Sequence, residues 1–238
     1  MADLARLART RTFILDLDGT VYLSSTLLPG ALDFLAALER TGRRHVFITN
    51  NSSRTAVEYV AKLGGLGIRA SRDNIYTSLD ATLAWLSKQE GRRVYALGVP
   101  SLIEEVRAAG YEITDDRPDW VLLGFDMTLD YDKICRAARA IRLGARFVAT
   151  HADLVCPTAD GPIPDAGAMI KMFEAATGKS PVVCGKPEAP MVEGALARLA
   201  GRPEEAAIIG DRLYTDIAMG NATGILSILV LSGDTNPD

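Results

Sequence analysis

The sequence predicts an α/β fold built on a parallel sheet. Three observations carry this. Short apolar, β-branched-rich runs alternate with helical patterns along almost the whole chain, several of those runs stop abruptly in polar residues, and no internal repeat or low-complexity tract breaks the alternation. At 238 residues, 48% hydrophobic and 24% charged, the chain suffices for one large α/β domain or for one domain carrying another.

Taken in order, the first strand is Phe13–Leu17, and it runs into Asp-Gly-Thr. The pattern ALDFLAALERTG from Ala31 predicts a helix closing on Gly42. A second strand, His45–Ile48, stops in Thr-Asn-Asn-Ser-Ser. Strands Arg93–Leu97, Trp120–Leu123 and Phe147–Thr150 come next, with helical stretches between them. Pro181–Cys184 ends in Gly-Lys-Pro, and the pattern PMVEGALARLAG from Pro190 predicts a helix closing on Gly201. Ala206–Ile209 stops in Gly-Asp-Arg, and Ile225–Leu231 is the last strand. Turn and cap signals at Thr77–Asp80 and Gly178–Pro181 bound an insertion with its own alternation. The predicted organisation is a core of residues 1–79 and 181–238 carrying a smaller α/β domain of residues 80–180.

Composition excludes several classes. The net charge is −4 with no long basic run, which argues against a nucleic-acid partner. The N-terminal MADLARLARTR lacks the apolar core of a signal peptide, and no apolar stretch is long enough to span a bilayer. Cys135, Cys156 and Cys184 are odd in number and form no C-x-x-C pair, so reduced thiols and a cytoplasmic location are expected.

Ligands of open parallel sheets bind at the carboxyl ends of the strands. Four strand endings, FILDLDGT, VFITNNSS, PVVCGKP and AAIIGDRLYTD, are therefore expected to meet in one crevice. Asp16 and Asp18 lie two apart in an extended segment and so share a face. Like charges that close need a cation or a proton between them. Gly19 allows the backbone to turn and offer amide N–H groups to an anion. Thr49 and Asn50 supply hydroxyl and amide donors at a strand-to-helix junction, Lys186 supplies a cation between Gly and Pro, and Asp211 and Asp216 add carboxylates. Each motif alone also has an ordinary structural reading: an Asp-Gly turn, a helix N-cap, a solvated lysine. Together they suit a divalent cation and a phosphate group.

Other motifs carry less. Gly178-Lys179-Ser180 invites a P-loop reading, but Phe173 stands where that pattern needs its first Gly, and the segment closes a helix. Gly64-Gly65-Leu66-Gly67 also lies at a helix end and is no dinucleotide fingerprint. Trp85 and Trp120 read as core, and His45 as packed or solvated at a strand start.

At this point the sequence resembles the haloacid dehalogenase (HAD) superfamily of phosphohydrolases. Four motifs stand in the family's order: DLDGT, TNN, GKP and GDRLYTD. The insertion between the second and third resembles a type C2 cap, and the wording is nearest to the 4-nitrophenylphosphatase and NagD-like branch. THADLVCPTADGPIPDAGAMI, from Thr150 to Ile170, is similar to that branch's specificity loop, although His151 and Asp165 replace the residues usual there. The likeness spans nearly the whole chain, which ends sooner than its relatives.

The resemblance implies a doubly wound, Rossmann-like parallel core with an inserted α/β cap, and Mg²⁺-dependent hydrolysis of small phosphate monoesters. Asp16 would be the nucleophile forming an aspartyl phosphate, and Asp18 the general acid and base. Gly19, Thr49, Asn50 and Lys186 would bind phosphate. Asp16, the Asp18 backbone carbonyl and Asp211 would hold the metal, with Asp216 behind them. His151 and Asp153 would lie nearest the ligand in the cap loop. Candidate substrates are 4-nitrophenyl phosphate, phosphoglycolate, pyridoxal phosphate and sugar or nucleoside monophosphates. The expected partner is a small phosphate ester, with no nucleic acid and no membrane; a homodimer through the cap stays open. Two alternatives also stay open: a phosphotransferase to a small alcohol, and a signalling module phosphorylated on Asp without turnover.

Overall fold

The computed structural model describes residues 3–158 and 160–235. These form two compact units, the first made of residues 1–49, 56–76 and 186–238 and the second of residues 50–55 and 77–185.

The chain opens with α1 (Leu4–Arg9), β1 (Thr12–Asp16) and a small hairpin of β2 (Tyr22–Leu23) and β3 (Thr26–Leu27). Then come α2 (Ala31–Arg40), β4 (Arg44–Thr49), α3 (Ala56–Gly65) and β5 (Ile75–Thr77). The second unit continues with α4 (Ser78–Leu86), β6 (Arg93–Leu97), α5 (Pro100–Ala108), β7 (Glu112–Ile113), β8 (Trp120–Leu123), α6 (Tyr131–Arg142) and β9 (Arg146–Ala149). It closes with the hairpin β10 (Val155–Cys156) and β11 (Ile163–Pro164), α7 (Ala166–Thr177) and β12 (Val182–Val183). The chain returns to the first unit with α8 (Ala189–Arg198), β13 (Ala206–Gly210), a π-helical turn at Leu213–Ile217, α9 (Ala218–Thr223) and β14 (Leu226–Leu229).

The first unit is a five-stranded sheet in the order β14-β13-β1-β4-β5. β1 pairs in parallel with both β4 and β13, and β13 in parallel with β14. β1 and β13 are buried along their whole length, as expected of central strands covered on both faces. Phe13, Leu15, Phe47, Tyr59, Leu63 and Ile75 are among the residues that fill one side of this sheet. The second unit has its own parallel sheet, ordered β12-β9-β8-β6-β7, with Phe147, Ile170 and Phe173 in its core. The protein is thus a Rossmann-like parallel core with an inserted smaller α/β cap.

All eight expected strands are present, but one is not where its polar ending placed it. Val182–Val183 pairs with β9 in the second sheet, so only three of the four motif-bearing strands share the first sheet. The chain leaves β12 through Gly185, and Lys186 opens the last segment of the first unit. A strand's residue pattern records its burial, not its sheet.

Local signals explain most boundaries. Thr77 and Asp80 form a reciprocal capping box that starts α4. The Asp130 side chain accepts the Lys133 N–H at 2.8 Å and starts α6. Gly178 stops α7 in the left-handed region at φ +69, consistent with its reading as a helix end. Gly42 takes the left-handed turn after α2, as expected. After α8, however, Ala200 takes it at φ +46, one residue ahead of the predicted Gly201. Trp85 and Trp120 pack edge-to-face at 5.5 Å. Among the described residues no helix is long and apolar enough to cross a membrane.

Candidate active site

The carboxyl ends of β1, β4 and β13 carry the groups that the sequence singled out. Asp16 is the last residue of β1, paired in register with Ile48, so Thr49 stands at the next position of β4. Asp211 directly follows β13. All three are buried.

Lys186 joins them. Its ammonium donates to Asp16 Oδ1 and, at 2.8 Å, to Asp216 Oδ1. It is 4% exposed and Asp216 is wholly buried, so both charges depend on each other for solvation. Asp216 is set by the π-helical turn and also accepts from the Arg212 N–H and the Thr215 hydroxyl, both at 3.3 Å. Such turns shift a side chain off the helical register, and they recur at functional sites. A Cβ at Gly210 would stand 2.2 Å from the Asp216 Cγ, which is why glycine precedes Asp211.

Carboxylate oxygens of Asp16, Asp211 and Asp216 lie within 4.8 Å of one another. Three carboxylates around one ammonium leave an excess of negative charge. Burial pushes the Asp16 carboxyl up to about 7 against the pull of Lys186, with Asp216 and Asp211 adding to the rise. Burial alone would push the Lys186 ammonium down, but Asp16 and Asp216 outweigh it and hold it above its ordinary value. Asp211 Oδ1 is buried with no hydrogen-bond partner among the described residues. An acceptor-only oxygen in an electronegative cluster fits a hard, oxygen-seeking cation.

Asp18 lies beyond the strand end and is exposed. The surrounding protein still raises its carboxyl by partial desolvation, against the pull of Lys62 and a backbone hydrogen bond from Ser24. Gly19 is next, at φ +88, a conformation that favours glycine. Gly19's own N–H donates to the Tyr22 carbonyl at 2.7 Å, closing the turn. What the site needs from Gly19 is its missing side chain, since a Cβ there would lie 2.4 Å from Asp211 Oδ2.

The TNNSS stretch divides. The Thr49 hydroxyl lies 3.5 Å from the Tyr59 hydroxyl in the first unit. Asn50 belongs to the second, where its amide donates to Asp153 Oδ2 at 3.1 Å and its carbonyl accepts from Ser78. Ser52 caps no helix; its Oγ accepts the Phe125 N–H at 2.8 Å and the Thr150 hydroxyl at 3.1 Å. His151 has no exposed surface. Its Nδ1 meets the Thr150 hydroxyl at 2.8 Å and its Nε2 meets Asp165 Oδ1 at 2.9 Å, so both ring nitrogens are taken. Asp165 in turn caps α7. His151 thereby fixes the loop that carries Asp153.

The sequence reading missed one segment of the site. Ser232 donates to the Gly19 carbonyl at 2.7 Å, and the Asp234 N–H donates to Asp211 Oδ2 at 2.7 Å. A Cβ at Gly233 would stand 2.0 Å from the same Asp211 oxygen. The signal was there: the last strand also breaks from an apolar run into polar residues, Ser-Gly-Asp-Thr.

Comparison with known proteins agrees with this geometry. A haloacid dehalogenase-like hydrolase model matches residues 13–112, and a HAD-hydrolase-like model matches residues 183–238. The ribonucleotide monophosphatase NagD of Escherichia coli K12 is 35% identical over 228 residues, covering 96% of this chain and 90% of the relative. The D-glycerol 3-phosphate phosphatase of Mycobacterium tuberculosis is 39% identical over 92% of this chain, which spans 62% of that protein. Among solved structures, the 4-nitrophenylphosphatase of Thermotoga maritima matches with a TM-score of 0.94 at 42% identity, covering 98% of this chain and 90% of the other. The M. tuberculosis glycerol phosphate phosphatase in complex with magnesium matches at TM-score 0.90 and 37% identity, over 96% of this chain and 70% of the other. The chain belongs to the haloacid dehalogenase-like hydrolases, on the NagD and 4-nitrophenylphosphatase branch of phosphatases.

Proposed function

We propose that this protein is a Mg²⁺-dependent phosphatase that hydrolyses small phosphate monoesters through an aspartyl phosphate on Asp16. The observation that carries the reading is Lys186, buried between Asp16 and Asp216 beside the unpartnered oxygen of Asp211. A buried nucleophilic carboxylate, a fixed cation and a spare oxygen ligand are what phosphoryl transfer to a carboxylate requires.

Asp16 and Asp211 would hold the metal with the Asp18 carbonyl, while Asp216 holds Lys186. Bound there, Mg²⁺ would supply charge neutralisation for the phosphoryl group. The remaining steps belong to the chain. Asp16 attacks phosphorus, the P–O bond to the alcohol breaks, and Asp18 gives its proton to the leaving oxygen. A raised Asp18 carboxyl favours the protonated form that this step needs. Asp18 then takes a proton from water as it attacks the aspartyl phosphate, releasing phosphate and restoring Asp16. Lys186 and the Thr49 hydroxyl stabilise the equatorial oxygens in both halves. Asn50 is assigned to phosphate binding, and within its own unit its amide is held by Asp153, in the loop that His151 fixes.

Selection for small soluble esters is assigned to the inserted unit, within residues 80–180. The named relatives act on ribonucleotide monophosphates and on D-glycerol 3-phosphate, so compact alcohol and nucleoside monoesters are the first candidates. The test is phosphate release over a panel of these esters, 4-nitrophenyl phosphate and one folded phosphoprotein, with Mg²⁺ or with chelator. Wild type should turn over small esters only with Mg²⁺, and Asp16→Asn should fold but lose turnover. Full activity in chelator, or sustained turnover by Asp16→Asn, would end this reading.

A further inference from the structure

The second unit carries a concave site of its own, lined by none of the residues assigned to the reaction. It is a groove of about 600 Å³ between the C-terminal half of α6, the turn into β9 and the loop at 115–119. That volume is within the range of small-molecule sites, about 300–1,000 Å³. Four guanidinium groups line it, from Arg117, Arg136, Arg139 and Arg146, against the carboxylates of Asp115 and Asp119. Pro118 and Leu143 add apolar walls.

The two carboxylates are already engaged. Asp119 accepts the backbone N–H groups of Arg92 and Arg93 at 2.8 and 2.9 Å. Asp115 accepts from Arg136 at 2.6 Å, and Arg136 also reaches Asp132 at 2.7 Å. Arg146 lies 3.9 Å over the Trp120 ring and donates to the Glu90 carbonyl, which fixes its plane. The other two arginines are left over. Arg139 is exposed, and its guanidinium has no ion-pair or hydrogen-bond partner among the described residues. Among the described residues the Arg117 guanidinium reaches Asp116 alone, at 3.8 Å, a carboxylate that Arg93 also holds at 3.4 Å.

Arg117 also stands at φ +44, in the left-handed region. A side chain there carries a steric strain that glycine would avoid. Arg117 borders the groove with its side chain largely in solvent, so its charge is accessible to a ligand there.

We propose that this groove binds a small multivalent phosphate, a phosphate- or pyrophosphate-bearing metabolite, with Arg139 and Arg117 as its principal contacts. Guanidinium forks match phosphate oxygens two at a time, and Arg146 offers a pre-set third donor group. The concave shape and the net charge of −4 favour a compact ligand over a nucleic-acid strand.

Both tryptophans of the chain lie in this unit, packed on each other, and Trp120 carries Arg146, so their emission reports on the groove. The full-length protein is titrated with inorganic pyrophosphate in chelator, as wild type, Asp16→Asn, Arg139→Glu and Arg117→Gly. A saturable emission change is expected for wild type and equally for Asp16→Asn. Arg139→Glu should bind at least about tenfold more weakly, as expected for loss of a charge-assisted contact. Arg117→Gly should also bind more weakly while its thermal midpoint does not fall, because the strain is relieved. Hydrolysis of a small ester without pyrophosphate should be unchanged in both arginine variants. An absent emission change, or wild-type affinity in Arg139→Glu, overturns the site. Citrate binding as tightly as pyrophosphate overturns the assignment to phosphate.

Discussion

Replacing Lys186 by methionine removes one charge and little volume, and the contacts of the ammonium set the size of the effect. It is the hydrogen-bond donor shared by two carboxylates, Asp16 and Asp216, and all three residues are at most 7% exposed. Removing one member of a buried ion pair costs about 3–5 kcal/mol, because the remaining charge is left without water or a partner. Here two carboxylates are left, with Asp211 adding to the repulsion, so the upper end of that range is expected. The assay is urea unfolding monitored by far-UV circular dichroism, at neutral pH in chelator. The double variant Lys186→Met with Asp216→Asn neutralises one stranded carboxylate and should recover about 1–3 kcal/mol, a coupling typical of residues in one network. Lys186→Arg keeps the charge and should lose less than Lys186→Met. A Lys186→Met protein within about 1 kcal/mol of wild type, or a double variant no more stable than the single one, would refute the claim that this ammonium compensates the carboxylate cluster.

Three further expectations rest on named contacts. Gly19→Ala meets both a positive φ of +88 and the Asp211 carboxylate 2.4 Å from the new Cβ; it should destabilise by at least about 1–2 kcal/mol in urea and weaken Mg²⁺ activation, and a silent substitution would contradict both points. Asp211→Ala removes the unpartnered oxygen and the acceptor of the Asp234 N–H, so the Mg²⁺ concentration for half-maximal phosphate release should rise sharply; an unchanged metal titration would remove Asp211 from the metal site. Asp119 is held below the usual carboxylate range first by the Arg93 backbone N–H, against partial burial, with help from the Arg92 N–H and nearby arginines. Its folded value lies below its unfolded one, so its contribution is present above the ordinary carboxyl value of 3.8 and fades as pH falls through the folded value. Asp119→Ala should therefore cost about 1 kcal/mol at neutral pH, with the gap to wild type closing in strong acid. Urea midpoints across pH read this directly, and a gap that widens in acid would reverse the assignment.

The sequence by itself determined the class of fold and singled out most of the buried polar groups that cluster at the strand ends, because both signals are local. Burial of a parallel strand on both faces demands a continuous apolar run, and a ligand at its end demands an abrupt polar stop; FILDLDGT and AAIIGDRLYTD show both in a few letters. Asp16, Thr49, Asp211 and Asp216 needed no more than that to be singled out; Lys186, after Pro181–Cys184, carried a weaker signal alone and gained weight from the family's motif order. Only the tertiary structure decided what those groups meet. Val182–Val183 reads like a core strand, yet it pairs in the second sheet, since a two-residue apolar run carries no information about which neighbour completes its ladder. Ser52 looks like a helix cap but bonds Phe125, 73 residues away, and Gly19, which the sequence shows only as a turn, also leaves the clearance that Asp211 needs. Ser232 and Asp234 touch the motif residues from more than twenty positions beyond Asp211, or two hundred beyond Gly19. Partners so far apart in the chain are fixed by packing and register, which depend on every element at once, so no window of the sequence contains them.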